Sequence, residues 1–286
     1  MDWQDRLYTA TMLTKIGEHY FIVDCWHHRI IFSENLYSPI KDWKTLDSQI
    51  AGPHSIAGDG EILVADCTGY HRLHVYRRQS EGYEHFEVLE RAGHRPHRVI
   101  YCSEQKLFLV IGSRDQRILL LRNEGGILRP LADYVITELG GQYTRSITLH
   151  NGRLFAVGNE TLVELKIDDT NITTVDVFTL HADYCGANDL YFLGEDSGIL
   201  TRTPLQMTFF DRFDQLTTGT GASFRFDGTP YFLSQVDGML IMPQIKEHSK
   251  IVAYEGTLPH LSVKTTIGDS GPATAESIDR KSEFPI

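Results

Sequence analysis

Two short motifs place a histidine directly after a proline: Pro53-His54-Ser55-Ile56 and Pro96-His97-Arg98-Val99. The two histidines are 43 residues apart, and each begins a strand-like run. Proline fixes φ, so it holds the start of the strand in a defined direction. Histidine exchanges protons near neutral pH, and its neutral ring binds metals. The motifs predict His54 and His97 as acid–base groups or as ligands of a divalent metal, Zn²⁺ or Fe²⁺, with a purely structural role as the remaining alternative.

Arg145 begins another strand-like run, in a chain whose formal net charge is −11. A guanidinium group holds carboxylate or phosphate oxygens through two parallel hydrogen bonds. Arg145 is therefore predicted as an anion clamp, which makes it the third catalytic residue beside His54 and His97. The alternative is a salt bridge from Arg145 to Asp115 or Asp189.

These residues occupy matching positions of a repeated unit. In residues 52–77 the Asp59-Gly60 pair joins two strand-like runs, and Asp-Gly in that setting favours a tight hairpin turn. A second turn at 67–69 leads into a third run, and a fourth strand is predicted in 83–89. The first positions of the copies are Thr11, His54, His97, Arg145, Asn188 and Ser223.

The intervals between these first positions are 43, 43, 48, 43 and 35 residues. A repeat of about 40–50 residues built from strands and turns is typical of propeller blades. We therefore predict an all-β fold, a six-bladed β-propeller with four-stranded antiparallel blades, over a β-sandwich. The propeller is predicted to cover residues 1–256, and residues 257–286 to form a C-terminal tail, partly disordered or packed on the ring. The ring closes either by docking of the first and last blades or by a terminal segment that adds a strand to the blade at the other end.

The propeller fold predicts where a ligand binds. The innermost strands all start at one mouth of the central channel, and the loops between second and third strands surround the same mouth. Side chains from several blades therefore converge there. The predicted substrate-binding residues are Trp26, His27, Tyr70, His71, Arg114, Asn188, Asp189 and Ser223.

Two stretches, DCWHHRIIF and ADCTGYHRLHVY, resemble the NHL repeat, whose usual form is similar to VADTGNHRI. The resemblance covers most of the chain and implies the fold rather than a reaction. The repeat carries an aspartate and a histidine at fixed places, here Asp24 with His28 and Asp66 with His71. The resemblance implies that they have structural roles, the aspartates bracing a loop through backbone N–H groups.

The Pro-His openings are similar to those of the peptidyl-hydroxyglycine amidating lyases, which are six-bladed NHL propellers. Their zinc is held by a histidine from each of three such openings, so the resemblance implies His54 and His97 as metal ligands. The chain departs from this family because it has two such openings, on adjacent blades, and Arg145 or Asn188 stands at the third place. A two-histidine site could be completed by His27, His71, Asp66 or Asp189.

Composition excludes several function classes. The acidic balance and the lack of any Lys/Arg-rich run argue against a nucleic-acid surface. No stretch approaches 18 uninterrupted apolar residues, which argues against a membrane span. The N-terminal residues show no apolar region behind a basic start, and the four cysteines form no CxxC pair. We therefore expect reduced, buried thiols and a cytoplasmic location.

The sequence as a whole predicts a small-molecule enzyme of lyase or isomerase type, acting on a small polar substrate that carries a carboxylate. Redox chemistry is less favoured because no dinucleotide fingerprint is present, and no P-loop or G-x-S-x-G motif appears either. The alternative is a non-catalytic NHL-type propeller that binds a metabolite or a protein partner.

Overall fold

The computed structural model describes residues 5–246, 248–257, 260–268 and 277–279. These residues form six antiparallel sheets around one axis, which confirms the predicted six-bladed β-propeller. In blades 1 to 5, four strands pair in chain order from the innermost to the outermost. Among the described residues, no helix has the length and apolar character needed to span a membrane.

The strands are grouped blade by blade. Blade 1 has β1 (Ala10–Ile16), β2 (His19–Asp24), β3 (Arg29–Ser33) and β4 (Lys44–Asp47). Blade 2 has β5 (Ile56–Gly58), β6 (Ile62–Cys67), β7 (Arg72–Gln79) and β8 (Gly82–Leu89). Blade 3 has β9 (Pro96–Cys102), β10 (Leu107–Gly112), β11 (Arg117–Glu124) and β12 (Ile127–Val135).

Blade 4 has β13 (Ser146–His150), β14 (Arg153–Val157), β15 (Thr161–Asp168) and β16 (Asn171–Thr179). Blade 5 has β17 (Ala187–Phe192), β18 (Gly198–Arg202), β19 (Gln206–Phe210) and β20 (Ala222–Arg225), with the short helix α1 (Gln215–Thr218) before β20. Blade 6 has β21 (Thr229–Pro230), β22 (Ser234–Val236), β23 (Met239–Ile245), β24 (Lys250–Thr257), β25 (His260–Ile267) and β26 (Ser277–Asp279). Both β21 and β22 pair with β23, and β24, β25 and β26 follow outward.

The apolar core lies between the blades. The buried side chains of the described residues form six clusters, one between each pair of neighbouring blades. Alternation along β7 shows how one strand serves two clusters: Leu73 and Val75 pack towards blade 3, whereas Tyr76 packs towards blade 1. Each sheet thus buries both faces, which a single sheet alone could not do.

The ring closes by docking of blades 1 and 6. Leu13 of β1 shares a buried cluster with Ile241 of β23 and Ile267 of β25. The N–H of Ala10 donates to Ser249 Oγ at 2.7 Å, and the N–H of Ser249 donates to the carbonyl oxygen of Tyr8 at 3.0 Å. The strands of blade 1 come from residues 10–47 and those of blade 6 from residues 229–279. Within the described residues, therefore, neither end of the chain adds a strand to the other end's blade.

The position predicted for Ser223 is wrong. Ser223 lies in β20, the outermost strand of blade 5, where it pairs with Thr208, and it does not begin the inner strand of blade 6. The first hairpin turn of blade 6 is Asp237-Gly238, between β22 and β23, and not the similar Asp227-Gly228 pair ten residues earlier. Blade 5 is therefore complete, and the interval from Asn188 to Tyr231 is again 43 residues.

Blade 6 continues beyond the predicted boundary at residue 256. Strand β25 pairs antiparallel with β24 and forms the fourth strand of the blade, and β26 pairs with β25. The sequence pattern is weak because polar Thr265 interrupts the alternation of Leu261, Val263 and Ile267. Most of the predicted tail after residue 268 lies outside the described residues.

Candidate functional site

His54 and His97 meet at the channel mouth. They stand at the starts of the inner strands of blades 2 and 3, and their rings stack with centroids 4.0 Å apart and planes inclined by 29°. Thr11 of blade 1 supports the pair by donating its hydroxyl to the carbonyl oxygen of His54 at 2.8 Å. The repeat thus brings two distant Pro-His motifs into direct contact.

His97 is buried and has protein partners on both ring nitrogens. Nδ1 lies 2.9 Å from the carbonyl oxygen of Arg145, and Nε2 lies 3.2 Å from the hydroxyl of Tyr231. A carbonyl oxygen can only accept, so Nδ1 carries the proton and Nε2 accepts from the tyrosine. Burial holds the pKa of His97 well below its ordinary value, and the charges of His54 and Arg145 lower it further. At neutral pH His97 is therefore an uncharged ring.

His54 is the more accessible ring, with 14% of its side chain exposed. Nδ1 lies 3.0 Å from Thr68 Oγ1, and Nε2 lies 3.6 Å from Cys25 Sγ. Burial alone would lower the pKa of His54, but the negative charge that Cys25 and Asp66 can carry raises that pKa to about 10. The surroundings therefore favour the protonated form of His54 and the neutral form of His97.

Asp66 holds the start of the inner strand in place. It is fully buried, and its carboxylate accepts from the backbone N–H groups of His54 and Ser55 and from the hydroxyl of Thr68. Asp24 accepts in the same way from the N–H groups of Tyr8 and Thr9 in blade 1. These contacts are the loop bracing that the NHL resemblance implies, and they fix the backbone position of His54.

Arg145 and Arg114 converge on one aromatic ring. Their guanidinium carbons lie 4.7 and 5.4 Å from the centroid of the Tyr143 ring. In the part of the chain that the structure describes, neither arginine has a carboxylate oxygen within 4.0 Å. Two positive charges share this ring without a balancing carboxylate, which is the electrostatic setting of an anion site.

Neither alternative partner of Arg145 pairs with it. Asp115 accepts the N–H of His94 at 2.9 Å. Asp189 accepts from Ser146 Oγ at 2.5 Å and from the N–H of Leu233 at 3.0 Å. Asp189 is also 1% exposed, and burial raises its pKa, so it lies inside the channel and away from the solvent-facing mouth.

A buried arginine, Arg98, lies beside these residues. Arg98 follows His97 and is 8% exposed, and its guanidinium carbon lies 4.2 Å from the centroid of the Phe232 ring. Its Nη1 lies 3.7 Å from Met12 Sδ, and its Nε has no hydrogen-bond partner among the described residues. Burial lowers the pKa of Arg98, with Asp189 and Asp66 opposing the shift.

The loops after the second strands place aromatic side chains at the rim. Trp26 and Tyr70 lie in equivalent turns of blades 1 and 2 and are 64% and 59% exposed. His27 Nδ1 lies 2.6 Å from Asp24 Oδ2. A cavity of about 280 Å³ beside the mouth is lined by Arg6, Tyr8, Trp26, His27 and His248.

Some predicted binding residues have structural partners instead. His71 adopts a left-handed backbone, and its Nδ1 accepts the N–H of Arg95 in the linker to blade 3 at 3.0 Å. Asn188 is completely buried, with its Oδ1 bonded to the Thr203 hydroxyl at 2.8 Å. Ser223 lies 3.0 Å from Arg202 Nη2 on the outer strand of blade 5, away from the inner strands. The structure therefore does not bring these three side chains to the stacked histidines.

His54 and His97 do not belong to a cluster of possible metal ligands among the described residues. Each of their four ring nitrogens faces a protein partner. Within the described ranges, the two histidines form no group with a third His, Cys, Asp or Glu whose donor atoms lie within 4.8 Å of one another. The donor set that Zn²⁺ or Fe²⁺ needs is therefore not assembled at this mouth.

Sequence reasoning missed Tyr143, Tyr231 and the contact of Cys25 with His54. Tyr231 takes the equivalent inner-strand position of blade 6 only when the strands of that blade are assigned correctly. Tyr143 stands two residues before Arg145, where an inward aromatic ring can support the guanidinium group. Cys25 was expected to pack as a small side chain, and its burial fits that role, but its sulfur also contacts the His54 ring.

Comparisons with known proteins give evidence about the fold. No family model matches the chain, and no curated protein matches it. Among solved structures, a candidate 6-phosphogluconolactonase from Bacteroides uniformis is similar with a TM-score of 0.64 and 13% identity, covering 91% of this chain and 85% of that one. A streptogramin B lyase is similar with a TM-score of 0.60 and 10% identity, covering 99% and 86%.

A structure of a nidogen/laminin complex is also similar, with a TM-score of 0.61, 12% identity and 92% coverage of both chains. The feature common to these structures is the propeller. At these identities the likeness shows the fold alone, because one propeller architecture carries many unrelated functions.

Proposed function

We propose that this propeller is a small-molecule enzyme that binds an organic anion at the channel mouth and transfers a proton to or from it, in a lyase or isomerase type of reaction. The observation that carries the proposal is the stacked pair of histidines beside arginines without carboxylate partners, and neighbouring groups shift the pKa values of the two rings in opposite directions. Groups of the same type held in opposite protonation states are a common feature of acid–base sites.

The residues have separate roles in this proposal. Arg145, with Arg114, holds the carboxylate or phosphate of the substrate. His54 is the proton donor, because it is charged at neutral pH and is the exposed member of the pair. His97 is a positioning residue, since it is 1% exposed and burial holds its pKa well below the ordinary value.

Two solved neighbours are consistent with parts of this proposal: the candidate 6-phosphogluconolactonase is named for a phosphorylated substrate, and the streptogramin B lyase is named for a lyase reaction. The second candidate function is a binding propeller without catalysis. The exposed Trp26 and Tyr70 favour it, because rim aromatics are common where a partner docks.

Binding of small anions tests the first part of the proposal. A calorimetric panel of malate, gluconate, 6-phosphogluconate and inorganic phosphate should contain at least one compound that binds wild-type protein. Arg145→Gln should weaken that binding at least about tenfold, because a charge-assisted hydrogen-bond pair is lost. Arg129→Gln, at an exposed position of β12, is the matched control and should leave it unchanged. Equal affinities in both variants would contradict the anion clamp.

Proton transfer tests the second part. In D₂O, wild-type protein should exchange a carbon-bound proton of the bound anion or convert the anion, followed by NMR. His54→Asn should reduce this rate by about 10²-fold or more with affinity changed less than about threefold. Binding without exchange or turnover in wild-type protein would select the binding propeller instead.

A further inference from the structure

A second cluster of chemistry-bearing side chains lies far from the mouth, between the outer strands of blades 1 and 2. Asp47 ends β4 of blade 1, His74 lies in β7, and His85 lies in β8. Their carboxylate and imidazole donor atoms all lie within 4.8 Å of one another, and no other group of three His, Cys, Asp or Glu in the described part of the chain meets this condition.

The local structure explains why the three side chains converge. His74 and Tyr76 alternate with Val75 along β7, so both face blade 1. Tyr76 pairs directly with His85 of β8, and a bulge between this pair and the Val75–Glu87 pair changes the register beside it. A bulge re-aims the neighbouring side chain. The ring of His85 consequently lies 5.0 Å from that of His74 and 5.4 Å from that of Tyr76.

Asp47 is held with one oxygen directed to the histidine. Its Oδ1 accepts the N–H of Gln49 at 2.7 Å, and its Oδ2 lies 2.9 Å from His74 Nδ1 and 2.7 Å from the hydroxyl of Tyr76. These contacts fix the orientations of the carboxylate and the ring, as outer partners do in metal sites.

Accessibility increases across the cluster. His74 is 7% exposed, Asp47 is half-buried, and His85 is exposed on the outer strand. An ion can therefore enter from the side of His85, and the exposed ring can rotate to complete the ligand set.

We propose that Asp47, His74 and His85 form a binding site for a divalent transition-metal ion, with zinc as the best-fitting ion. Two imidazole nitrogens and one carboxylate oxygen are a ligand set that zinc uses, with water in the fourth position. Zinc takes the place of the proton that His74 shares with Asp47, and that proton is released to solvent. The 2.9 Å contact between Nδ1 and Oδ2 opens to about 3.3 Å, which tetrahedral bonds of about 2.0–2.1 Å require.

Isothermal titration of tag-free, metal-stripped protein with ZnCl₂ at about pH 7.5 tests the site. Wild-type protein should bind one equivalent. His85→Gln should weaken binding at least about tenfold, and Asp47→Asn should weaken it similarly. Two control variants should retain the wild-type affinity for zinc: His150→Gln, at the end of β13 in blade 4, and His54→Asn, at the mouth.

Titration with Co²⁺ gives an independent readout, because a four-coordinate site produces intense visible absorption that a structural hydrogen bond does not. The absorption should appear in wild-type protein and be absent in His85→Gln. Because His85 is exposed, its substitution should leave the fold intact. Failure of wild-type protein to bind zinc at about 100 µM, or equal loss in His85→Gln and His150→Gln, would overturn the proposal.

Discussion

At the scale of single residues, two identical side chains 4.0 Å apart have pKa values that their neighbours shift in opposite directions. His54 faces Asp66 and Cys25, whereas His97 faces a carbonyl oxygen and a phenol. The sequence predicted both histidines at the mouth from their Pro-His motifs. It could not predict their charges, because the groups that set them come from blades 1, 2, 4 and 6.

The raised pKa of His54 predicts a pH-dependent stability. Its pKa is about 10 in the folded protein and about 6.5 in an unfolded chain. The stabilisation is therefore complete below about pH 6.5 and is lost as the pH rises towards 10. When the pH rises from 6.5 to 9.5, the free energy of unfolding measured in urea should fall less for His54→Asn than for wild-type protein. His150→Asn is the control, and parallel pH profiles of all three proteins would contradict the assignment.

The hydroxyl of Tyr231 is predicted to stabilise the fold through His97. Tyr231→Phe leaves the buried Nε2 of His97 without its donor, which costs about 1–3 kcal/mol of unfolding free energy. Tyr191→Phe removes a hydroxyl for which the described residues provide no hydrogen bond and should cost less than about 0.5 kcal/mol. Denaturant unfolding measures both, and equal effects would show that the Tyr231–His97 contact contributes nothing.

At the scale of elements, the turn motifs predicted the strands of the early blades, but they did not predict those of blade 6. Asp59-Gly60 and Asn151-Gly152 each mark a hairpin between the first two strands of a blade, so blades 2 and 4 could be placed. In blade 6 two Asp-Gly pairs lie ten residues apart, and only pairing with β23 shows which one is the turn. Local turn chemistry cannot decide between two equally good turns, and this is why Ser223 was misplaced.

Strand β25 is predicted to be necessary for blade 6. A chain that stops after Gly256 loses β25 and exposes the surface covered by Leu261 and Ile267, which are 5% and 6% exposed. Burial of each such side chain contributes about 1.5–3 kcal/mol, so the melting temperature should fall by at least about 5 °C.

A chain that stops after Asp279 keeps every described strand and is the control for this truncation. It should melt like the full chain. If the two truncated proteins melted at the same temperature, β25 would not form part of the blade in solution.

At the scale of the whole molecule, closure of the ring brings together residues from both ends of the chain. The cluster between blades 1 and 6 contains Leu13 and Ile241, and each of its members is at most 9% exposed, as is each member of the cluster between blades 3 and 4. The spacing of the repeats predicted the number of blades. It left closure open, because docking and strand exchange produce the same sequence pattern.

A matched pair of cavity variants tests closure. Leu13→Ala at the closing interface and Leu165→Ala between blades 3 and 4 each remove a fully buried leucine side chain. Both should cost about 2–5 kcal/mol of unfolding free energy and preserve a single transition. A large cost for Leu165→Ala with almost none for Leu13→Ala would mean that the ring is open in solution.

The most direct test of the mouth is an NMR pH titration of the histidine side-chain nitrogens, with His54→Asn and His97→Asn used for assignment. The account predicts that at pH 7.5 both nitrogens of His54 are protonated, that His97 is neutral with its proton on Nδ1, and that an added organic anion shifts the His54 signals. Two histidines that titrate together near pH 6.5, without response to any anion of the panel, would contradict it.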